Sequence, residues 1–367
     1  MRMLLAGLML LGGNCLAQDL AELEVDHRLQ AAFTTPHTDW AVPYALGTTR
    51  ALVFLRGHDT EPREVVELAQ RFDLDPQMVF WTRIIDSTQE HWHGDDRGIQ
   101  RMARLLTQKW DVYVFLSPEA TGVRDVTPDL LPVEQQYALV KAVADGAGLV
   151  LVGGDDPRLL KEKNRLKQLP ALLGDVPGAA AFTVRQGRGV RLPKRPKIEY
   201  RPGWEVDYDQ WALQAGKAIL WAAHKEPKLS LSLSSKGKEL SRTTLPGTAA
   251  QLSWQGAAPD TVADVKVRRD NGQLAFSTRQ TLNQPAGTRE LAVPRLSAGR
   301  YHLDIVARHR DRVAGFANTT LTVFLFASAI GVLAGGAVAD RTRNHGLVAA
   351  FGFGAATVLV LLAGQAS

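Results

Sequence analysis

Gly148-Leu-Val-Leu-Val-Gly-Gly-Asp-Asp156 runs an apolar strand pattern straight into two glycines and two carboxylates. A run this short, bounded by the turn Gly146-Ala147, reads as an interior strand of a parallel sheet. In open α/β sheets the ligand crevice lies beyond the carboxyl ends of such strands. The strand ends would then contribute Arg56, His58 and Asp59, next Asp86, next Ser117 and Glu119, and finally Gly153, Gly154 and Asp155. This polar set, mixed in charge, suits a small polar ligand approached closely by glycine backbone amides. It reads equally as a set of ordinary loop residues, and Asp156-Pro157 reads as a helix start that needs no ligand.

A second constellation is His91-Trp-His93 with Asp95 and Asp96. Histidines two apart reach one metal only from an extended segment, and zinc usually takes a third protein ligand, which His58 or Asp59 would supply. The alternative function that follows is a metal-dependent hydrolase or other enzyme using His58, His91 and His93. The plainer reading is a polar loop in which Asp95 or Asp96 caps a helix beginning near Gly98. Ser117 lacks the Gly-x-Ser-x-Gly surroundings that expose a serine nucleophile.

The elements that must hold these residues follow from apolar periodicity. From Thr49 to Trp221, strands alternate with amphipathic helices, which predicts an α/β fold with a mainly parallel sheet. Strands are expected at Arg50–Leu55, Met78–Ile85, Val112–Leu116 and from Gly148. Helices are expected at Glu61–Arg71, Gly98–Lys109, Leu131–Ala144 and Tyr208–Ala223, with a hairpin over Ala181–Leu192. From Lys228 the rhythm becomes short alternating runs about every ten residues, the pattern of an all-β sandwich, with Asp270-Asn-Gly272 as one hairpin turn. Leu296-Ser-Ala-Gly-Arg-Tyr301 resembles the entry to a late strand of immunoglobulin-like domains.

Arg63-Glu-Val-Val-Glu-Leu-Ala69, Trp110-Asp111, Leu131 to Gly146 and Gly148 to Gly154 together resemble the class I glutamine amidotransferase-like superfamily, nearest its trehalose-utilisation-like branch. The resemblance covers about half the chain and implies a flavodoxin-like parallel sheet. It also implies a nucleophile elbow, normally a cysteine, in the segment matching Leu149 to Gly154. The matching positions here are Val152, Gly153 and Gly154, so the nucleophile that thioester chemistry needs is missing.

Both chain ends are apolar. Met1–Ala17 has Arg2, an apolar core and Cys15-Leu-Ala17 as a small-x-small cleavage site, which reads as a secretory signal; a lipoprotein anchor on Cys15 is the rival reading. Leu321–Ala339 and Leu347–Ala363 are uncharged and flank a polar turn with Arg341 and Arg343, the pattern of a transmembrane hairpin with a cytoplasmic turn. A buried apolar hairpin in a soluble fold is the other reading.

Composition frames the whole. The 367 residues are 45% hydrophobic and 22% charged, which is ordinary for globular domains. A formal net charge of +5 is too mild to argue for nucleic acid, and a single cysteine, Cys15, excludes a disulfide framework and a cysteine-based metal site. The basic run from Arg158 to Arg201 reads as a solvated face or a surface for anionic headgroups, and Trp204, Tyr208 and Trp211 as core at helical spacing.

The sequence thus divides into a signal (1–17), an N-terminal segment (18–47), an amidotransferase-like domain (48–226), an immunoglobulin-like sandwich (227–318) and a transmembrane hairpin (319–365). The expected function is binding or assembly by an exported, membrane-anchored and non-catalytic protein of a bacterial cell envelope. It would have no cofactor, and its partners would be the membrane and a protein of the kind an operon would encode.

Overall fold

The computed structural model describes residues 24, 38–57, 62–83, 88–117, 124–154, 161–195, 204–235, 238–239, 250–269, 271–294, 296–297 and 299–323. Three apolar runs, in β1 (Thr49–Arg56), β4 (Val112–Leu116) and β5 (Gly148–Val152), lie at the centre of a seven-stranded sheet. Their side chains alternate between two covered faces, which is why the runs are apolar throughout. Val53, Leu55, Val114 and Val150 face helices α1 (Arg63–Phe72) and α4 (Trp204–Ala222). Leu52, Phe54, Tyr113 and Leu149 face α2 (Asp95–Leu106) and α3 (Val133–Ala144). With β2 (Leu74–Arg83), β3 (Glu90–Trp92), β6 (Ala180–Val184) and β7 (Gly187–Leu192), the strand order is β3-β2-β1-β4-β5-β7-β6.

The class expected from the sequence is corrected here. The sheet is mixed and not a flavodoxin-like parallel sheet: β3 runs antiparallel to β2, and β6 antiparallel to β7, so both edges depart from the parallel centre. The physical reason at the first edge is Trp92, which is buried against Trp81 and Phe54 and so draws Glu90–Trp92 into pairing where a polar loop was expected. Strands dominate, with fifteen of them against four α-helices among the described residues.

The second body is built from two antiparallel sheets of four strands, ordered β13-β10-β8-β9 and β12-β11-β14-β15. The first contains β8 (Ser230–Ser235), β9 (Lys238–Glu239), β10 (Ala250–Gln255) and β13 (Ala286–Leu291). The second contains β11 (Thr261–Arg269), β12 (Leu274–Leu282), β14 (Gly299–His309) and β15 (Arg312–Val323). Alternate residues close the core between them, among them Leu233, Leu252 and Trp254 from one sheet and Val265, Val267, Leu303 and Ile305 from the other. Strand β15 continues through Leu321–Val323, paired with Gly299–Tyr301, and so takes the first residues of the expected transmembrane span. The remainder of that hairpin and the signal segment Met1–Ala17 lie outside the described residues, among which no helix is long and apolar enough to cross a membrane.

The two bodies share a core. Val306, Val313 and Phe316 of the second belong to the same buried cluster as α1 and α4 of the first, and Phe316 meets Phe72 edge-on at 6.0 Å. Residues 38–45 strap them together: Trp40, Ala41 and Tyr44 are fully buried, Ala45 N–H donates to Val313 O, and Val313 N–H donates to Pro43 O. The Tyr44 hydroxyl donates to Lys225 O at 2.6 Å, and burial raises its pKa far above the ordinary phenol range, aided by the Glu226 charge.

Beneath the strap lies a row of buried charges. Arg71 donates to Glu67 at 3.0 Å and to Asp209 at 2.6 Å, and Arg268 bridges Asp209 at 3.5 Å to Asp304 at 2.8 Å. The Trp40 indole N–H donates to Asp304 at 3.1 Å and the Thr38 hydroxyl at 3.2 Å, which completes the acceptor capacity of a carboxylate that is 1% exposed. His302 is buried alongside, and among the described residues neither of its ring nitrogens has a hydrogen-bond partner. Desolvation lowers its pKa, with Asp304 and Asp209 opposing and Arg268 and Arg300 reinforcing the shift.

Two outcomes follow from this row. Asp304→Ala leaves Arg268 with only its longer contact to Asp209 and strips the Trp40 and Thr38 donors of their acceptor, and is expected to cost about 3–5 kcal/mol in urea unfolding. Because folded His302 binds its proton less readily than the unfolded chain does, stability is expected to fall as pH drops below the ordinary imidazole range. His302→Leu should flatten that part of a stability-versus-pH curve, and an unchanged slope would assign it to other groups.

Candidate functional site

Strands β1, β4, β5 and β7 end side by side, and the residues that follow them meet. Ser117 N–H donates to Val152 O, and Gly153 N–H to Leu192 O, each at 3.0 Å, so the sheet ladder continues one residue into the rim. The Ser117 hydroxyl is fully buried and accepts from Val126 N–H at 2.8 Å. Asp125 lies between two cations, Lys194 at 2.8 Å and Arg56 at 3.8 Å. A β-carbon on Gly154 would meet Thr127 Cγ2 at 2.5 Å. Residues 125–127 are therefore seated across the strand ends, where a ligand was expected.

Gly153 is the hinge of this arrangement. Its φ of +79° is a conformation that costs a side-chain-bearing residue strain, and a β-carbon there would lie 2.3 Å from Ser117 O and 2.7 Å from Lys194 Cγ. Of the positions Val152, Gly153 and Gly154 that the resemblance sets against the nucleophile segment, the two glycines would each bring a β-carbon within 2.5 Å of a neighbour. Ser117 does not replace the nucleophile. Among the described residues its hydroxyl contacts only a backbone N–H, and no base is within hydrogen-bond reach to activate it.

Of the rim residues expected from the sequence, Arg56, Ser117, Gly153 and Gly154 are brought together. His58, Asp59, Asp86, Glu119 and Asp155 lie outside the described residues. Asp125, Val126, Thr127 and Lys194 were not expected at the rim. Val126 is an apolar residue between Asp125 and Thr127, and that local signal for a segment folding back onto the sheet is weak.

The histidine pair is placed differently from the expectation. His91 lies in β3, opposite Thr82, and its Nδ1 is 2.5 Å from Asp95 Oδ1. Helix α2 begins at Asp95, not near Gly98, and its cap residue Gly94 makes no side-chain cap, so the expected Asp cap is also corrected. The first-turn acids Asp95 and Asp96 instead favour the positive helix end. His58 lies outside the described residues, among which no three His, Cys, Asp or Glu residues gather as a metal site. The basic run is partly spent inside the fold: Arg188 pairs with Glu226, Arg195 with Glu64, and Arg191 donates to Gly178 O. Tyr208 and Trp211 are buried core, with the Arg195 guanidinium over both rings.

No family model matches the chain, and no curated protein matches it in sequence. Among solved structures, a CARDB domain from Pyrococcus furiosus is 13% identical, spans 27% of this chain and 97% of its own, and has a TM-score of 0.21. CopC from Methylosinus trichosporium OB3b is 14% identical, spans 26% of this chain and 93% of its own, also at 0.21. The C-terminal domain of wzt is 13% identical over 27% of this chain and 75% of its own, again at 0.21. Likenesses of this size carry no functional statement. The expected flavodoxin-like description is corrected by the sheet itself, which is mixed.

The packing at the rim gives two measurable expectations. Ser117→Ala strands the buried Val126 N–H and should cost about 1–3 kcal/mol. Gly153→Ala should cost at least about 1–3 kcal/mol from the backbone conformation alone. Wild-type stability in either variant, by urea unfolding, would mean that the rim is looser than described.

Proposed function

We propose that this chain is a non-catalytic binding or assembly protein, exported to the cell envelope and acting with a protein partner. The observation that supports the reading is the state of the carboxyl edge of the sheet. The place where an enzyme of this layout would expose its reactive group holds a glycine without room for a side chain, a buried serine and the chain's own residues 125–127. An edge occupied in this way by the chain's own residues supports a role in positioning surfaces over one in turnover. Export rests on the sequence of Met1–Ala17.

The metal-enzyme reading has the histidine pair as its support and meets a specific obstacle. His91 presents Nδ1 to Asp95, so it would bind metal through Nε2 alone and would need ligands beyond those gathered among the described residues.

Purified protein is expected to release no ammonia from glutamine and to retain no stoichiometric zinc through gel filtration. In extracts of the source cells it should elute well above its monomer mass. Glutamine hydrolysis, or zinc retention abolished by His91→Ala with His93→Ala, would move the protein into the enzyme class. Elution as a monomer would remove the assembly role.

A further inference from the structure

Helix α3 carries apolar residues on two faces. Leu139 and Val143 are buried against the sheet, with Gln135 buried beside them, whereas Val133, Tyr137 and Val140 stand 80%, 73% and 36% exposed on the other side. These are three of the five large apolar side chains exposed among the described residues. Spacings of four and then three put them in one stripe along the helix. Two of them are valines, which a solvent-facing helix position disfavours because their χ1 freedom is lost there. Neither helix propensity nor packing within the monomer accounts for the stripe. Glu134 and Lys141, both exposed, lie on the same flank of it, two turns apart. Lys141 donates to Asp145 at 2.5 Å, and because both side chains are largely in water this pair is readily exchanged for another.

We propose that this face of α3 docks on the same face of a second copy of the chain, with the two helices antiparallel. The charge pattern selects that occupant. A two-fold axis between Tyr137 and Val140 sets each Tyr137 against the other copy's Val140, and the same operation brings each Glu134 opposite the other copy's Lys141. One symmetric contact therefore covers the stripe and forms two ion pairs. A parallel arrangement would set Glu134 level with Glu134 and Lys141 level with Lys141. Tyrosine suits the centre of such a contact, since its ring covers a large area and immobilises few torsions. A contact confined to one 12-residue helix falls below the about 1,200–2,000 Å² that stable complexes bury, so the dimer is a reversible one. The inference uses none of the rim residues, and self-association of the purified chain is separate from the partner protein of the proposed assembly role.

Purified full-length protein, followed by sedimentation equilibrium over a micromolar to near-millimolar series, is expected to pass from monomer to dimer. Tyr137→Glu, at a position that faces water in the monomer, should leave the chain monomeric throughout with an unchanged circular dichroism spectrum. Glu134→Lys and Lys141→Glu should each weaken the dimer about five- to ten-fold, because each turns two attractive contacts into repulsive ones. Mixed in equal amounts, these two charge variants should associate with each other at close to the wild-type affinity, since each copy then presents two like charges to two opposite ones. A wild type that stays monomeric, an oligomer that survives Tyr137→Glu, or charge variants that bind each other no more tightly than themselves would each overturn the proposal.

Discussion

The alternating row Glu67, Arg71, Asp209, Arg268 and Asp304 is the constraint on which the rest of the architecture depends. Its members come from α1, α4, β11 and β14, so satisfying the charges requires both bodies to be present and in one relative position. Ion pairs this deeply buried gain little net stability over apolar packing. What they impose is registry, because a sliding or rotated interface would leave a charge alone. Phe72, Phe316, Val306 and Val313 supply the attractive area around the row, and the charges select the one arrangement in which that area is buried.

The strap of residues 38–45 extends the same logic to the segment before the first strand. Trp40 covers the row with its ring over Arg71 at 5.1 Å and gives its indole hydrogen to Asp304. A segment that looks like a featureless leader to the first strand is thus the lid of the charged interior. Its tryptophan is chosen for having both a broad apolar face and one donor.

Legibility followed burial geometry. The central strands at Arg50–Leu55, Val112–Leu116 and Gly148–Val152 were readable because both their faces are buried, which forces an unbroken apolar run. The edge β3 was unreadable because its three residues, Glu90, His91 and Trp92, carry no periodicity, and one buried indole decides their pairing. At the rim, Arg56, Ser117, Gly153 and Gly154 could be collected from strand ends alone. Asp125 and Lys194 could not, since their meeting depends on how two connections lie across the sheet. The interdomain row was invisible for the same reason: Arg71, Asp209, Arg268 and Asp304 look individually like surface residues, and Asp209 and Arg268 are 59 residues apart in the chain.

The strap also bears on how such a protein can be inherited. In most multidomain chains a recombination break in a linker yields two transferable modules. Here residues 38–45 lie before the first body in sequence yet pair with β15 at the end of the second, and β14 carries the carboxylate that Trp40 needs. No single cut separates the bodies cleanly, so a gene fusion or truncation between them would deliver two halves, each missing part of its own interior. The pair can be duplicated, moved or lost only as one cassette.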